Sequence, residues 1–311
     1  MLALIDGDAL VFSSGFANEK SKDGQLITVN PEHFAFKTVK DTIDRILVAT
    51  KADDYKIYIG DREKSNFRYT VDPNYKANRK GQKRPEHEVA IREYLIRHHN
   101  AIEVKGMEVD DALGIEQMLF IKDTTFKIWY ASDVDNVRGC TNNDRKEVAN
   151  HTIICSNDKD LDMIPGWHYD LDFGKSRRGA NGNTYKIKAY KRKPIYFITD
   201  PGFIDLRTNE SNGRKIICGG GYLWFCAQLL LGDSTDNIPK LAEGYGPVKV
   251  YDILKDCRTS EEGIRVVYNE FEKVNIHLTL KETQTKLMTV AKLLWIKRQI
   301  KDDIIFPRRW L

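Results

Sequence analysis

The stretch Lys105-Gly106-Met107-Glu108-Val109-Asp110-Asp111-Ala112-Leu113 brings three carboxylates into four consecutive positions. It follows a short apolar run at residues 101–104 that is typical of a strand, and apolar residues at helical spacing continue after it. On such a helix Glu108 and Asp111 share one face, and Asp110 lies beside them in the first turn. Because acidic residues also stabilise helix N-termini through the dipole, the triplet by itself fits a capping role as well as a functional site.

Acidic residues also follow the other buried strands that the sequence predicts. Apolar runs of strand length at residues 1–5, 55–59 and 152–155 are followed by Asp6, by Asp61, and by the pair Asp158 and Asp160. An amphipathic helix predicted over residues 31–49 connects the first two runs, which is the strand–helix–strand order of a parallel sheet. Side chains at the carboxyl ends of parallel strands meet at one edge of the sheet, so we expect these acids to lie close together.

Two further acids and a glycine turn stand in the second half of the chain. An apolar segment at residues 220–231 predicts a helix, and it ends at Gly232-Asp233-Ser234-Thr235-Asp236. Next comes Gly244-Tyr245-Gly246-Pro247, which predicts a tight turn into a helix with proline at its first position. Backbone N–H groups at such a turn can hold a phosphate group, although a lone Gly-x-Gly is a weak indication by itself.

The basic residues are concentrated in two segments. The chain of 311 residues carries 49 Lys and Arg against 45 Asp and Glu, a net charge of only +4. Residues 62–105 interleave basic side chains, Arg68 and Arg92 among them, with Phe67 and Tyr69, whereas residues 174–193 contain no acid. Each segment fits contacts to a nucleic-acid backbone, and each also fits a plainer alternative: a solvated loop for the first, a solubilising edge hairpin for the second.

Nine acids at strand ends and helix starts form the candidate site. They are Asp6, Asp61, Glu108, Asp110, Asp111, Asp158, Asp160, Asp233 and Asp236. Carboxylates in contact repel one another and raise one another's pKa, so their convergence requires counter-charges. Divalent cations fulfil this need, and an all-oxygen set without His or Cys favours Mg²⁺ or Mn²⁺. Two such ions about 4 Å apart can activate a water and stabilise the leaving oxygen of a phosphodiester.

Other kinds of site are disfavoured by the same sequence. A calcium loop at residues 158–162 would lack the required glycine and distal glutamate. The five cysteines are odd in number and widely spaced without Cys-x-x-Cys, so we expect reduced thiols in the cytoplasm and no structural zinc. No signal peptide opens the chain and no apolar run reaches membrane-spanning length, so we expect no membrane partner.

Five motifs, together with two further elements, carry a family resemblance. The motifs are Ile5-Asp6-Gly7, Gly60-Asp61, Glu108-Val109-Asp110-Asp111, Asp158-Lys159-Asp160 and Gly232-Asp233-Ser234-Thr235-Asp236-Asn237-Ile238. In this order, over nearly the whole chain, they resemble the metal-binding motifs of the 5′-nuclease family, which includes flap endonucleases and stand-alone phage exonucleases. Tyr75-Lys76-Ala77-Asn78-Arg79 resembles that family's element at the base of a helical arch, and Gly244-Tyr245-Gly246-Pro247 resembles its helix–three-turn–helix.

The resemblance implies an α/β fold of a definite kind. It implies a PIN-like, Rossmann-type, mostly parallel sheet flanked by helices, with a helical arch at about residues 62–105. A catalytic domain would cover residues 1–205, including the basic hairpin at 174–193. A helical DNA-binding subdomain with the helix–three-turn–helix would cover residues 206–311.

The resemblance also implies an activity and its ligands. We expect a metal-dependent 5′–3′ exonuclease or 5′-flap endonuclease that uses two Mg²⁺ or Mn²⁺ ions, with a K⁺ ion at the glycine turn. Its partners would be DNA with 5′ ends, flaps, nicks or gaps, and RNA–DNA hybrid, and it would be a monomer in the host cytoplasm. The role would lie in phage DNA replication or recombination and RNA primer removal.

Within the family pattern the residues divide into metal ligands and nucleic-acid contacts. The first ion is expected among Asp6, Asp61, Glu108, Asp110 and Asp158, with Asp111 and Asp160 close by and with Asp233 and Asp236 completing the second. The DNA contacts are expected from Tyr75, Lys76, Arg79, Lys175, Arg177, Arg178, Gly244, Gly246 and Lys249. Lys76 and Arg79 would contact the scissile phosphate. Asp8 and Asp162 fall outside the motifs and are not counted as ligands.

Three rival functions use some of the same residues. A PIN-type ribonuclease shares the acidic sheet edge but lacks the glycine turn and the basic arch. A non-catalytic, structure-specific DNA-binding protein would not need the complete acidic set. A phosphatase with an aspartyl nucleophile is suggested by Asp6-Gly7-Asp8, but the sequence lacks the Ser/Thr and Lys motifs that should follow later strands.

Overall fold

The structure is a computed structural model that describes residues 1–22, 25–63, 65–122, 131–133, 136–137, 152–172, 176–178, 184–186, 194–209 and 212–302. The central sheet consists of β1 (Leu2–Asp6), β4 (Asp54–Gly60), β5 (Ile102–Val104), β8 (Thr152–Ser156), β9 (Gly166–Asp170) and β12 (Ile195–Ile198). Antiparallel pairs are formed by β2 (Glu19–Lys22) with β3 (Gln25–Val29), β6 (Ala131–Asp133) with β7 (Asn136–Val137), β10 (Ser176–Arg178) with β11 (Thr184–Lys186), and β13 (Phe203–Thr208) with β14 (Lys215–Gly220).

Helices flank and follow this sheet. They are α1 (Gly7–Ala17), α2 (Glu32–Thr50), α3 (Arg68–Val71), α4 (Glu88–His99), α5 (Val109–Lys122), α6 (Gly221–Leu231), α7 (Pro247–Leu254), α8 (Ser260–Val274) and α9 (Leu280–Leu294). Short 3-10 helices lie at Ala77–Arg79 and Asp160–Met163. Helices α8 and α9 each begin with a capping box, in which a threonine side chain and a glutamate three residues later satisfy each other's backbone N–H groups.

The sheet order explains why the acids can meet. The strands run β12-β9-β8-β1-β4-β5, with parallel pairing from β9 to β5 and only β12 antiparallel at one edge. The carboxyl ends of β8, β1, β4 and β5 therefore lie side by side, and each is followed by one of the acidic motifs. The predicted α/β class with a mostly parallel, helix-flanked sheet is confirmed.

Local patterns place the helices where the sequence predicts them. Helix α2 begins directly after Pro31 and buries Val39, Ile43 and Ile46 against the sheet, as the 3.6-residue spacing predicts. Phe34, also expected on the inward face, is exposed, and Ala35 is buried instead. Helix α6 is buried along almost its whole length, because the β13–β14 hairpin, the 3-10 helix at Asp160–Met163 and the helices α7, α8 and α9 pack around it. No helix in the described part of the chain has the length and apolarity needed to cross a bilayer.

One hydrophobic core joins the sheet to the later helices. Leu4 and Ile154 of the sheet belong to the same buried cluster as Leu113 of α5, Phe225 of α6 and Leu287 of α9. The expected division between residues 205 and 206 falls inside β13, whose partner β14 leads into α6. The division into two domains remains a prediction, and the core continues across it.

Three predicted segments need separate comment. The segment at residues 62–105, expected as a helical arch, contains α3, one 3-10 helix and α4 in its described part. The basic hairpin is present as the antiparallel pair β10–β11, with Arg177 opposite Tyr185. A strand predicted from the apolar residues 126–130 lies outside the described residues.

We predict that Phe225→Ala lowers the free energy of unfolding by about 3–5 kcal/mol, because it removes a ring from the core that joins the sheet to the helices. Phe34→Ala is the matched control: this ring is 47% exposed, and its loss should cost less than about 1 kcal/mol. Urea unfolding followed by circular dichroism measures both changes. Equal effects of the two substitutions would contradict the shared core.

Candidate metal and nucleic-acid site

A cleft of about 800 Å³ opens at the carboxyl edge of the sheet. Seven of the nine predicted acids line it: Asp6, Asp61, Glu108, Asp110, Asp158, Asp160 and Asp236. Asp233 lines a neighbouring cavity, and Asp111 lines neither space. The structure thus brings together acids from the first strand, from the start of α5, from the end of β8 and from the loop after α6.

Asp6 is fixed at the junction of β1 and α1. It caps α1 by accepting a hydrogen bond from the N–H of Ala9 at 3.0 Å, and its second oxygen accepts from Oγ of Ser156 at 2.8 Å. Gly7 must be small, because a Cβ there would lie 2.3 Å from Cγ2 of Ile59 and 2.6 Å from a backbone oxygen of β4. The Asp-Gly pair therefore lets α1 start directly against β4 with the carboxylate at the cleft.

The acidic triplet at the start of α5 is divided between the cleft and the interior. Glu108 and Asp110 line the cleft, whereas Asp111 is fully buried, with Oδ2 2.6 Å from Nη1 of Arg68 and Oδ1 3.0 Å from Nη2. Asp111 also accepts from the N–H groups of Glu108 and Lys297, both at 3.0 Å. Both of its oxygens are occupied by protein donors, so this arrangement does not support its predicted role as a metal ligand.

Arg68 and Arg92 were expected in a basic strip along nucleic acid, and for these two residues the expectation is wrong. Arg68 is 1% exposed and donates to the carbonyl oxygens of Leu293 at 2.9 Å and Trp295 at 2.5 Å as well as to Asp111. Burial disfavours its charge, but the attraction of Asp111 outweighs this and raises the pKa of Arg68. Arg92 is buried against Asp8, with Nη1 2.9 Å from Oδ1.

Asp236 lies in a network with the base of the arch. It pairs with the guanidinium of Arg79 and accepts from Oη of Tyr75 at 2.8 Å, while Nζ of Lys76 is 3.5 Å away. The same Lys76 ammonium is 2.6 Å from Oε1 of Glu108, and Oη of Tyr75 is 3.1 Å from Oε2. The residues predicted to contact DNA therefore meet the predicted ligands directly.

Lys159 connects the cleft with the acid that lies outside it. Its Nζ is 2.7 Å from Oδ1 of Asp160 and 2.8 Å from Oδ2 of Asp233. Burial opposes ionisation of Asp233, but the Lys159 ammonium overcomes it and lowers the pKa of that carboxyl. The sequence motifs assign no role to Lys159, and its place between Asp158 and Asp160 is the signal that points to it.

Several carboxyl groups in the cleft share an unusually high proton affinity. Burial, followed by repulsion from Asp8, raises the pKa of Asp6 to about 7, and burial with repulsion from Asp158 raises that of Asp160 to about 7. Burial also raises the pKa of Asp110 well above its ordinary value, with Asp158 and Asp6 adding to the effect. Asp158 thus repels Asp6 and Asp110 as well as Asp160.

The remaining acids have individual environments. Asp61 lines the cleft and accepts hydrogen bonds from the N–H and the hydroxyl of Ser65. Asp162, which was not counted as a ligand, is buried and accepts from Oη of Tyr196 at 2.8 Å. The described cysteines, Cys155, Cys218, Cys226 and Cys257, are not in disulfides.

Basic side chains, rather than bare carboxylates, fill the space between the acids. Across the described ranges, no three Asp, Glu, His or Cys side chains surround one point as a ready metal site. The ammonium groups of Lys76 and Lys159 and the guanidinium of Arg79 supply the counter-charge that clustered carboxylates require. A cation that bound here would have to replace some of these contacts.

The glycine turn has the predicted form. Gly244 has φ +83°, a conformation that favours glycine, and α7 begins at Pro247 directly after Gly246. A shallow pocket is lined by Gly244, Gly246 and Lys249, and the Lys249 ammonium lies 3.6 Å from the centre of the Tyr245 ring. Of the predicted hairpin contacts, Lys175 lies outside the described residues, and Arg177 and Arg178 lie in β10.

Comparison with known proteins gives a match in structure only. No protein-family profile and no curated protein matches the sequence. The T5 D15 protein co-crystallised with metal ions is similar at 15% identity, over 94% of this chain and 88% of that chain, with a TM-score of 0.51. This likeness establishes that the chain has the fold of the T5 D15 protein, which is the fold that the motifs predicted.

Two further structures align over similar lengths. A T5 5′-exonuclease with bound zinc aligns at 16% identity over 93% of this chain and 88% of that chain, with a TM-score of 0.45. A bacteriophage T5 D15 flap endonuclease in complex with DNA and metal ions aligns at 15% identity over 94% and 99%, with a TM-score of 0.39.

We predict that Arg68→Met lowers the free energy of unfolding by about 3–5 kcal/mol, because it leaves Asp111 buried without its partner. The double variant Arg68→Met/Asp111→Leu should recover most of that loss, since neither charge then remains buried. Urea unfolding of the wild type, of Arg68→Met, of Asp111→Leu and of the double variant measures the coupling energy between the two residues. Additive losses would mean that the two residues act independently.

We also predict that the ionisation of Asp6 makes the free energy of unfolding depend on pH. Its pKa is about 7 in the folded protein and near the ordinary 3.8 when unfolded. The folded state therefore binds more protons between these values, and the stabilisation present below pH 4 is lost as the pH rises through 7. Relative to Asp6→Asn, the wild type should lose up to about 4 kcal/mol of stability over this range.

Denaturant unfolding in EDTA at successive pH values tests this prediction. Asp252→Asn on α7, an exposed acid outside the cleft, controls for the removal of one negative charge. A difference between wild type and Asp6→Asn that stays constant from pH 4 to pH 8 would contradict the raised pKa.

Proposed function

We propose that this chain is a divalent-metal-dependent hydrolase of DNA phosphodiesters that acts at 5′ ends and 5′ flaps. The observation that carries the proposal is the convergence of seven separated acids in one cleft, beside Lys76 and Arg79. Its fold likeness to the T5 D15 protein, whose structure was obtained with metal ions, supports the same conclusion. A related bacteriophage T5 structure is a flap endonuclease in complex with DNA and metal ions.

The chemistry of the cleft suits magnesium or manganese. Its ionisable acceptors are carboxylates, and no His or Cys is among the described residues that line it. Hard divalent cations prefer such oxygen ligands. We propose that Asp6, Asp61, Glu108, Asp110 and Asp158 hold one ion and that Asp158, Asp160, Asp233 and Asp236 hold the other. Asp158 is assigned to both because it is near enough to repel Asp6 and Asp110 of the first set and Asp160 of the second.

The bound ions would supply an activated water and stabilisation of the leaving oxygen. The protein's own residues would perform the remaining tasks. Lys76 is paired with Glu108, and Arg79 is paired with Asp236. Once cations neutralise these two acids, the ammonium and the guanidinium would be released to contact the phosphate. Tyr75 keeps the arch base aligned through its bonds to the same two acids.

The proposed DNA contacts extend beyond the cleft. The backbone of the turn at Gly244 and Gly246, together with Lys249, would hold a phosphate of the duplex, with K⁺ as an additional ligand of the turn. Arg177 and Arg178 on the β10–β11 hairpin and the adjacent Lys175 would add phosphate contacts. RNA–DNA hybrid is proposed as a further substrate, consistent with removal of RNA primers during phage replication.

The test is cleavage of a 5′-flap duplex by purified protein with and without Mg²⁺. We expect cleavage only with Mg²⁺, and Asp158→Asn should reduce its rate by about 10²-fold or more because that residue serves both proposed ions. Binding of the same duplex should change little. Asp41→Asn is the matched control and should leave the rate unchanged, since Asp41 is exposed on α2 and lines neither the cleft nor the pocket at the glycine turn.

The rival functions predict different results in the same assay. Cleavage of single-stranded RNA without cleavage of flap or nicked duplex would favour a PIN-type ribonuclease. Tight flap binding with no metal-dependent cleavage would favour a non-catalytic DNA-binding protein. An Asp158→Asn variant with full activity would remove the proposed centre from the reaction.

A further inference from the structure

A second cavity, of about 1120 Å³, adjoins the carboxylate cleft. It lies between β14, α6 and the loop at residues 232–239. Lys159 marks the boundary, because its Nζ contacts Asp160, which lines the cleft, and Asp233, which lines the cavity. The cavity is therefore a direct neighbour of the acids that we assign to metal ions.

The walls of this cavity are largely apolar. They include side chains of β14, of α6 and of the loop that follows it: Ile216, Ile217, Trp224, Leu231, Ile238 and Pro239. The volume matches or exceeds that of typical small-molecule pockets, about 300–1,000 Å³. An apolar cavity beside a centre that is proposed to hold metal ions and, through them, a phosphate suits an uncharged planar ring that is covalently joined to that phosphate.

Gln228 adds a specific polar requirement to the cavity wall. Its side chain is 2% exposed, and its Nε2 donates to Oδ1 of Asp160 at 2.5 Å. That bond fixes the orientation of the amide, and Oε1 then has no hydrogen-bond donor among the described residues. A buried carbonyl oxygen without a donor is unfavourable, so a ligand with an N–H group would satisfy it.

We propose that this cavity receives a nucleobase of the bound DNA strand, unstacked from its neighbours, next to the phosphate held at the carboxylates. The apolar walls take the ring, and an amino or ring N–H of the base donates to Oε1 of Gln228, whose side chain must turn to expose this covered oxygen to the cavity. The sugar–phosphate part remains on the cleft side of Lys159. The inference rests on the proposed function, because it takes nucleic acid as the ligand of the neighbouring cleft.

Cys218 provides a probe of occupancy in the unmodified protein. This half-buried thiol lines the cavity, whereas Cys155, Cys226 and Cys257 are buried. We expect a 5′-tailed duplex, bound in Ca²⁺ in place of Mg²⁺, to slow alkylation of Cys218 by N-ethylmaleimide several-fold. Peptide-resolved mass spectrometry separates Cys218 from the other cysteines, Cys140 included. The same DNA made abasic around the junction of tail and duplex should protect much less.

A pair of substitutions at one wall residue tests the base contact by affinity. Ile217→Trp fills part of the cavity, and Ile217→Val keeps it open as the matched control. Wild type and Ile217→Val should bind the intact duplex about 5- to 100-fold more tightly than the abasic duplex, since base–protein stacking is of this size. In Ile217→Trp this preference should fall towards unity, with binding of the abasic duplex retained.

Equal protection of Cys218 by intact and abasic DNA would overturn the proposal, even if Ile217→Trp failed to fold. A preference for intact DNA that Ile217→Trp leaves unchanged would overturn it as well. These measurements do not require cleavage. Base-dependent protection without any Mg²⁺-dependent cleavage would refute the proposed hydrolase and leave the base pocket standing, whereas cleavage without base-dependent protection would do the reverse.

Discussion

The burial of several acids at one edge of the sheet, together with the repulsion between them, is the constraint on which the site depends. Burial and mutual repulsion raise the pKa values of Asp6, Asp110 and Asp160, so their ionisation is unfavourable without nearby positive charge. Lys76 and Lys159 bring part of that charge from the chain itself. A centre of this kind gains most from divalent cations, because each ion compensates several carboxylates at once.

A buried ion pair ties this edge to the end of the chain. Arg68 joins Asp111 at the start of α5 to the carbonyl oxygens of Leu293 and Trp295 after α9. Asp111 also accepts from the N–H of Lys297. The start of α5, where Glu108 and Asp110 stand, is thereby anchored by residues almost two hundred positions later, and the same contact ties α3 to this point. Asp111 helps to position Glu108, from whose N–H it accepts a hydrogen bond, and Asp110, which stands beside it in the first turn of α5.

The cleft and the cavity beside it have different linings. The cleft is lined by acids and by basic residues of the segment 62–105, whereas the adjoining cavity is lined mainly by apolar side chains of β14, α6 and the following loop, together with polar residues such as Asp233. Lys159 stands between them, in contact with one acid on each side. A phosphate group and an uncharged base, the ligands that we propose for the two spaces, need such different surroundings.

The sequence alone predicted four strands of the central sheet (β1, β4, β5 and β8), helices α2, α5, α6 and α7, and the acids at the carboxyl edge, because burial periodicity, caps and turns are local properties that a short window records. It did not predict the strands β9 and β12. It could not separate Asp111 from Asp110, since both stand in the first turn of α5 and only the approach of Arg68 decides which one is buried. The role of Lys159, the place of Asp233 outside the cleft and the unpaired oxygen of Gln228 also depend on distant segments. Contacts between residues far apart in the chain arise from the packing of whole elements, and only the tertiary structure decides them.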